Sequence, residues 1–380
     1  MALIKKLENI GNAIREKTGK TDLLTLEQMV TEIEAIETGG GSGELPEEAY
    51  LITGSCDYKF SHDGWSWFIR EYGDKVTTED ILSAGYMFYY CNKIEEIPFD
   101  LNFKGDAYRD MSQMFCQSQK LKKIGKIINA YPSNMGSMFT NCRCLRELPE
   151  FINPNFSRIQ TYAYASVGSL FQYCCSLRRI PEELLKQLYN SAATSVYSTF
   201  FNNCFYECNA LDEIVGLNPT TATMTSNFFN NTFMNCMRVK NIIFATQEDG
   251  TPYIVQWKNQ SIILASNIGY HANGTYYLTQ FDSGITEDKK VFDDASYQAL
   301  KDDPDWYTHD AAYSRYNHDS AVNTINSLPD TSAYLAANGG TNTIKFYGVS
   351  GEKTDGGAIN TLTEEEIAVA AAKGWTVTLI

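Results

Sequence analysis

The chain lacks any long apolar run, and it has few histidines and few basic residues. No stretch of its 380 residues approaches the ~20 apolar residues that span a bilayer. Residues 1–9 are amphipathic and lack the apolar run of a signal peptide, so either a signal peptide has been removed or the protein is made and folded in a cytosol. Lysine and arginine number 31 against 46 aspartates and glutamates, which gives a net charge of −15. We therefore expect no binding to nucleic acid and no membrane insertion, because nucleic acids and anionic membranes attract basic surfaces.

The chain also lacks the motifs of common catalytic and metal centres. It contains no Walker loop, no His-Glu-x2-His and no Gly-x-Ser-x-Gly. The four histidines lie outside the repeats described below, and Cys142-x-Cys144 and Cys174-Cys175 do not have the spacing of zinc ligands. Acidic residues are abundant, but a glycosidase needs a placed pair of carboxylates. We therefore expect no catalytic residues, no metal, no cofactor and no enzymatic activity; a depolymerase acting on surface glycans is the enzymatic alternative.

What the chain does contain is a repeat. A phenylalanine is followed, at intervals of three residues, by a cysteine or serine, an aliphatic residue, and an isoleucine or leucine. The six units are Phe88-Cys91-Ile94-Ile97, Phe115-Ser118-Leu121-Ile124, Phe139-Cys142-Leu145-Leu148, Phe171-Cys174-Leu177-Ile180, Phe205-Cys208-Leu211-Ile214 and Phe233-Cys236-Val239-Ile242. Successive phenylalanines lie 27, 24, 32, 34 and 28 residues apart, a spacing that is typical of stacked repeats.

The repeat predicts an α/β fold, a leucine-rich-repeat-like solenoid with a short strand plus a helix in each repeat. Phenylalanine and cysteine three residues apart suit one side of a helical turn, and the Leu-x2-Ile-Pro that follows suits a short strand. Five of the ten cysteines share one repeat position, and Ser118 fills the sixth. We therefore expect a column of buried free thiols, in which cysteine acts as a small hydrophobe and weak donor.

Residues 1–37 are predicted to form an N-terminal α-helical hairpin, because two apolar stripes at helical spacing mark its helices. The residues assigned to attachment or oligomerisation are Leu3, Leu7, Ile10, Ile14, Leu26, Met29 and Ile33. Helices this short bury little alone, so the hairpin either packs on its own solenoid or docks on a partner or on copies of itself. The glycine-rich linker 38–49 favours docking. We therefore expect a homo-oligomer and favour a trimer.

Residues 50–85 are predicted to cap the first repeat, with Trp65 and Trp67 in the core, and residues 86–245 hold the six repeats. Residues 246–315 form an aromatic-rich insertion, where we expect receptor binding because tyrosine and tryptophan offer rigid contact area with a polar edge. The candidate receptor-binding residues are Tyr253, Trp257, Tyr270, Tyr276, Tyr277 and Phe281.

Residues 316–380 are predicted to form a C-terminal repeat or cap. Asp319 can begin one helix, and 342–347 suits a strand. Thr363 and Glu366 form the capping box of a second helix, and an alternating strand closes the chain.

Two kinds of segment resemble known families. Phe-x2-Cys-x2-Leu-x2-Leu-Pro at 139–149 resembles the BspA-type leucine-rich repeat, whose units often contain Met-Phe-x2-Cys-x2-Leu. The segment 362–377 is similar to the closing segment of such proteins encoded by phages and prophages of gut bacteria, and 10–19 looks like the start of many phage structural proteins. The resemblance implies a solenoid and a bacteriophage origin, and it carries no catalytic residue.

Together these features predict a phage virion structural protein, a tail-fibre or receptor-binding-type subunit that displays the repeats for host attachment. We expect it in the virion, after assembly in the host cytoplasm. The hairpin would contact other virion proteins, and the insertion would contact glycan or protein on the host cell surface. The alternatives are a head-attached fibre or decoration protein, and a bacterial cell-surface adhesin of the BspA type, which would need a signal peptide and an anchor.

Overall fold

The computed structural model describes residues 49–105, 109–156, 159, 167–188, 201–208, 210–217, 223–233, 236, 239, 241–264, 318–346 and 362–379. The chain divides into two compact units, Met1–Tyr50 and Leu51–Ile380, and every helix and strand with described bounds belongs to the second. The predicted hairpin at 1–37 lies outside the described residues. Within these ranges, no helix combines the length and apolar character needed to cross a membrane.

The described part of the second unit contains five α-helices, a 3₁₀ turn and fourteen strands. The helices are α1 (Ser66–Tyr72), α2 (Glu182–Gln187), α3 (His318–Ser327), α4 (Ser332–Asn338) and α5 (Glu364–Ala372), and the 3₁₀ turn is Gly73–Lys75. The strands are β1 (Leu51–Ser55), β2 (Thr77–Ser83), β3 (Glu96–Ile97), β4 (Leu101–Asn102), β5 (Arg109–Asp110), β6 (Lys123–Ile124), β7 (Ile127–Ile128), β8 (Pro132–Asn134), β9 (Phe151–Ile152), β10 (Glu213–Leu217), β11 (Asn241–Phe244), β12 (Ser261–Ile263), β13 (Asn342–Phe346) and β14 (Trp375–Leu379).

The predicted α/β leucine-rich-repeat-like solenoid, with a short strand plus a helix per repeat, is wrong. None of the described Phe-x2-Cys segments is helical, and the one described helix between 86 and 245, α2, follows Pro181. The strands form six separate sheets of two or three strands each instead of one continuous sheet. Every strand pair in these sheets is parallel.

The Phe-x2-Cys segments are series of β-turns. Where it is described, the residue two positions before each phenylalanine has a positive φ, and so has the residue two positions after it, with values from 53° to 66°. An α-helix requires φ near −63° at every residue, so it cannot continue through these positions. Type II turns have a positive φ at their third residue, and glycine or asparagine usually occupies that position. Asn141, Asn203 and Asn231 occupy such positions.

The turns of successive units stack on one another in register. We call this the turn ladder; each of its seven units runs from three residues before a central phenylalanine to three residues after it (230–233 and 236 are the described residues of the last). The central residues are Phe60, Phe88, Phe115, Phe139, Phe171, Phe205 and Phe233. Backbone N–H groups of the phenylalanine and of the residues two before and two after it donate to carbonyl groups of the next unit, over 2.7–3.1 Å. Parallel backbone pairing therefore continues through the turns, where the sheets are interrupted.

The phenylalanine rings form one buried column. Neighbouring rings lie 5.2–6.0 Å apart between centroids, with interplanar angles of 9–16°. Each ring is at most 2% exposed, so every step combines apolar burial with an offset stack. The column begins at Phe60, inside the predicted cap at 50–85, so the ladder has one unit more than the sequence repeat indicated.

The predicted column of buried free thiols is confirmed. Each cysteine or serine of the repeat donates a hydrogen bond to the phenylalanine carbonyl of the preceding unit, as Ser118 Oγ does to Phe88 O at 2.6 Å. The thiols do so over 2.8–3.1 Å, from Cys91, Cys142, Cys174, Cys208 and Cys236. All ten cysteines are free. Burial raises the pKa of Cys91 and of Cys236 to about 12, so both remain thiols that can donate.

The fourth repeat position lies in a short strand at both ends of the repeat series. Ile97 of β3 pairs with Ile124 of β6, and Ile214 of β10 pairs with Ile242 of β11, both in parallel register. These four side chains are buried. They supply a second apolar row beside the phenylalanine column.

Residues 318–346 and 362–379 form the C-terminal part, where the predicted helices and strands are present and α4 is a further helix that was not predicted. β12, β13 and β14 make a three-stranded parallel sheet, and the predicted capping box between Thr363 and Glu366 is present at the start of α5. α3 packs against β11, where Thr324 Oγ1 donates to Ile242 O at 2.7 Å. The C-terminal part thus continues the apolar core beyond the last repeat.

Candidate binding surface

One side of the turn ladder is made of polar and aromatic side chains, and we call it the ladder face. Its three columns stand two residues before, one residue after and two residues after each phenylalanine. The first column is Tyr58, Tyr86, Gln113, Ser137, Ser169, Asn203 and Asn231. The second is Ser61, Tyr89, Cys116, Thr140, Gln172 and Tyr206, and the third is His62, Tyr90, Gln117, Asn141, Tyr173 and Glu207. Most of these side chains are half-buried or exposed; those of Cys116, Thr140 and Asn141 are buried.

The first two units carry five aromatic side chains that touch one another, and we call them the first pad: Tyr58, His62, Tyr86, Tyr89 and Tyr90. Tyr58 stacks on Tyr86 with ring centroids 4.6 Å apart, and His62 lies parallel to Tyr90 at 5.9 Å. Tyr89 meets Tyr86 and Tyr90 edge to face, at 5.5 Å and 5.1 Å. Tyr58 is 53% exposed and Tyr90 42% exposed, so the pad offers ring surface to solvent.

Tyrosine is an unfavourable residue at three of these positions. Tyr58, Tyr86 and Tyr90 have φ of 57°, 58° and 62°. A residue with a Cβ loses roughly 1–2 kcal/mol in this left-handed region, and asparagine tolerates it better. Later units place asparagine at the same positions, for example Asn141 and Asn203. The turn itself does not need a ring there, which points to a role for the rings outside folding.

The hydroxyl groups of Tyr86 and Tyr89 remain protonated at neutral pH. Burial, and then the neighbouring Tyr58, raises the pKa of Tyr86; burial also raises the pKa of Tyr89. Gln113 Nε2 donates to Tyr86 Oη at 2.5 Å, which fixes the direction of this hydroxyl. A neutral phenol offers both a donor and an acceptor beside its apolar ring.

A second, smaller aromatic group, the second pad, lies further along the ladder at Tyr173 and Tyr206. Their rings meet edge to face at 5.3 Å, and the Arg143 guanidinium lies 5.8 Å from the centre of the Tyr173 ring. Burial, and then Glu207, raises the pKa of Tyr206 to about 12. The units between the two pads carry amide and hydroxyl side chains on the ladder face instead of rings.

The prediction that Trp257 binds a receptor is wrong. Trp257 is 1% exposed, and its ring packs edge to face on Phe228 and Phe229, at 5.1 Å and 5.9 Å between centroids. It therefore belongs to the core at the end of the repeats.

Tyr253 is half-buried, and its carbonyl accepts a hydrogen bond from Asp330 N at 2.8 Å; its role in binding stays a prediction. The other predicted receptor-binding residues, Tyr270, Tyr276, Tyr277 and Phe281, lie outside the described residues. So do the predicted attachment residues Leu3, Leu7, Ile10, Ile14, Leu26, Met29 and Ile33.

The prediction that Trp65 lies in the core is also wrong. Trp65 is 46% exposed, and its ring stacks on that of the half-buried Trp67 at 6.5 Å. Phe68, from the same helix α1, is the buried member of this group. Among the residues that the structure describes, the aromatic side chains with the most exposed surface, Tyr58, Trp65 and Tyr90, thus lie at the N-terminal end of the ladder.

A groove of about 470 Å³ lies beside β10, away from these aromatic groups in the sequence. It is lined by Glu147, Leu148, Arg179, Ile180, Pro181, Glu182, Glu213 and Val215. Glu182 pairs with Lys186 at 2.7 Å, so part of its acidic rim is compensated. Within the described ranges, no group of three or more histidine, cysteine or acidic side chains is placed to hold a metal.

Comparisons of the chain with protein-family models, with curated proteins and with solved structures give no match. The assignment of a binding surface therefore depends on the geometry of the ladder alone. The first pad was missed in the sequence because it belongs partly to the predicted cap. The position of Phe60, one repeat length before Phe88, is the signal that could have revealed it.

Proposed function

We propose that the protein is a bacteriophage virion subunit of the tail-fibre or receptor-binding type, which attaches the particle to the host surface through the ladder face. The observation that supports this proposal is the first pad. Its rings are partly exposed and stacked on one another, and three of its tyrosines stand at positive-φ positions where asparagine would cost less conformational free energy. Rigid tyrosine side chains give large contact area at a low cost in side-chain entropy, which is why they dominate recognition surfaces.

The repetitive ladder supports display of such a surface. Its backbone hydrogen bonds and its buried phenylalanine and thiol columns hold the exposed columns in a fixed register. A preorganised surface loses little entropy on binding. Many copies on one particle would add avidity to a weak single contact, so each site need not bind tightly.

The virion assignment draws on the sequence. The BspA-like repeat and the phage-like segments at 10–19 and 362–377 support it, and the apolar stripes of 1–37 are the proposed contact with other virion proteins and with further copies of the chain. Antibody labelling of intact particles by electron microscopy tests this part. Label on purified particles is expected; its absence, in preparations where the protein is made, would refute the location.

Binding is tested with the purified chain on a panel of bacterial strains that includes the host, by flow cytometry. The test variant combines Tyr58→Asn, Tyr86→Asn and Tyr90→Asn, which removes three rings and leaves a residue that other units already use. The control is Tyr334→Asn, a half-buried tyrosine on α4 outside the ladder. We expect the triple variant to lose about tenfold or more in cell binding with an unchanged melting temperature, and the control to bind normally. Equal binding by all three proteins would refute the proposal.

A further inference from the structure

We propose, on the basis of the function proposed above, that the ligand of the ladder face is an uncharged linear glycan that runs along the ladder and contacts both aromatic pads. Three features of the face lead to this ligand: its lack of charge, its lack of aliphatic side chains, and the order of rings and amides along it.

The three columns of the ladder face are almost free of charge. Glu207 is the one residue in them that carries a formal charge when histidine is counted as neutral. The chain as a whole is 20% charged with a net charge of −15, so this neutrality is local. The face presents no row of cations for an anionic polymer and no row of carboxylates for a basic one. A ligand matched to it is itself uncharged.

The described positions of the face also lack aliphatic side chains. Its described positions hold tyrosine, histidine, glutamine, asparagine, serine, threonine, one cysteine and one glutamate, and no leucine, isoleucine, valine or methionine. Protein interfaces usually have an apolar centre that excludes water. Rings beside amides and hydroxyls instead suit a sugar, whose C–H faces stack on rings while its hydroxyl groups need donors and acceptors at the edges.

The amides lie between the two pads. Gln113, Gln117, Asn141 and Gln172 occupy the face between the unit of Phe88 and the unit of Phe205. Gln117 and Gln172 are half-buried, so part of each amide side chain faces solvent and can be reached by a ligand. From Phe88 to Phe171 the ladder advances by three steps of 5.4–5.9 Å. A ligand that reaches both pads must therefore be an extended chain of several sugars.

The test measures the affinity of the purified full chain for uncharged linear oligosaccharides, from disaccharides to octasaccharides of gluco-, manno- and galacto- type, by calorimetry and on a glycan array. Polygalacturonate and hyaluronate fragments serve as anionic comparisons. We expect affinity to rise with length until one chain spans both pads, then to level off. We also expect it to change less than about twofold between about 0.05 and 0.5 M salt, because screening acts on charges.

Variants of the second pad separate the long ligand from a short one. Tyr173→Asn with Tyr206→Thr places there the residues of the unit centred on Phe139, and Tyr173→Gln gives the residue of the unit centred on Phe115 if the first variant does not fold. We expect either change to remove the gain made by long oligosaccharides, about tenfold, and to leave short ones unaffected. The control is again Tyr334→Asn.

Treatment of host cells distinguishes failure of this inference from failure of the proposed function. If periodate, which cleaves sugar diols, abolishes binding and protease does not, the glycan assignment holds. If protease abolishes binding and periodate does not, the ligand is a protein; the glycan inference is then wrong while host attachment stands. Preference for the anionic fragments also overturns the inference. Absence of binding to untreated cells refutes the attachment function itself.

Discussion

The turn ladder and the C-terminal part both stack short strands in parallel, yet they connect them in different ways. In the ladder, β-turns with positive φ lie between the short strands, whereas in the C-terminal part described α-helices come directly before β13 and β14. Phenylalanine and cysteine three residues apart in the ladder have the same spacing as neighbours on one face of a helix. A spacing of three residues therefore does not distinguish a helix from a series of turns.

Local chemistry makes the difference. α5 begins at Thr363, whose side chain accepts from Glu366 N, and it then runs for nine residues without a residue that favours positive φ. In the ladder, residues with positive φ recur four positions apart on either side of each phenylalanine, so no helical turn can propagate. The ladder is instead held by hydrogen bonds between units and by burial of its rings.

The largest effect is expected from Phe139→Ala. The Phe139 ring is fully buried between Phe115 and Phe171, so its loss leaves a cavity with no local helix to compensate. We expect a loss of roughly 3–5 kcal/mol in the free energy of unfolding, measured by urea denaturation. Hydrogen exchange followed at β13 and β14 will show whether the C-terminal part unfolds with the ladder. Tyr334→Ala is the control. A loss below about 1 kcal/mol would mean that the column is not the main source of ladder stability.

A smaller effect is expected inside the thiol column, from a pair of changes at Cys142. Cys142→Leu adds volume to a site with no exposed surface, and we expect it to lower the free energy of unfolding by ~1–3 kcal/mol. Cys142→Ser should be milder, because Ser118 already occupies the equivalent position and donates to the preceding phenylalanine carbonyl. Thermal melting of both variants decides the order. A milder Leu variant would show that the column is packed more loosely than its burial indicates.

In the C-terminal part, Thr363→Ala should cost about 1 kcal/mol, because α5 loses the side-chain acceptor at its first turn. Thr376→Ala, at an exposed position on β14, is the matched control and should cost less. Helical circular dichroism and urea midpoints measure both. A loss that is equal in the two variants would argue that packing of α5, and not its capping box, holds the helix.

Asparagine in place of Tyr90 should leave the free energy of unfolding within about 0.5 kcal/mol of the original, or raise it slightly, since asparagine tolerates positive φ. Tyr334 lies within α4, so the same replacement there does not remove a residue from a positive-φ position. Denaturation curves of the two variants test the difference. A clear loss at Tyr90 alone would assign the ring to folding and weaken its assignment to binding.

The smallest effect concerns pH and the contact between α3 and α5, where His318 Nε2 lies 3.1 Å from Glu366 Oε2. Burial lowers the pKa of His318, but hydrogen bonds to Glu366 and Asp319 outweigh it, and the net pKa is raised. A histidine whose pKa is raised in the folded protein stabilises the fold fully at pH values below its pKa in the unfolded chain, which is about 6.5. This contribution is lost as pH rises through the pKa of the folded state.

We therefore expect the urea midpoint to fall between pH 6 and pH 8 slightly more in the original chain than in His318→Gln. The pKa of Glu366 is lowered, first by its hydrogen bond to the Thr363 backbone and also by His318. Its effect on stability therefore depends on pH in the opposite direction, and its contribution is lost as pH falls through its folded pKa. Identical pH profiles for the two proteins would show that the pair contributes nothing measurable.

The sequence predicted α3, α5, β13 and β14 in the C-terminal part, but not α4, and it predicted the buried positions of six of the seven ladder units. The capping box located α5, and the alternation of apolar and polar residues located β14. The repeat identified the buried phenylalanine and thiol positions, because burial constrains residue type. The turns were not predicted, since Tyr86, Gln113 and Ser169 at positive φ carry no strong turn signal. The first pad was not predicted because its first unit lies in the segment interpreted as a cap; once Phe60 is recognised as a repeat position, the same 28-residue spacing places Tyr58 against Tyr86.

The hydrogen bond from each thiol to the carbonyl of the preceding unit gives the ladder a direction. The unit of Phe60 has Asp63 at the cysteine position, and its carboxylate accepts from Ser66 Oγ and Lys93 N instead of serving an earlier unit. From Phe88 to Phe205, each unit brings one donor for its predecessor and one carbonyl for its successor. Whole units are thus interchangeable modules: one could be added or removed between Phe115 and Phe205 with all donors and acceptors still matched. Insertion or deletion of part of a unit would leave a thiol donor or a phenylalanine carbonyl in the core without its hydrogen-bond partner.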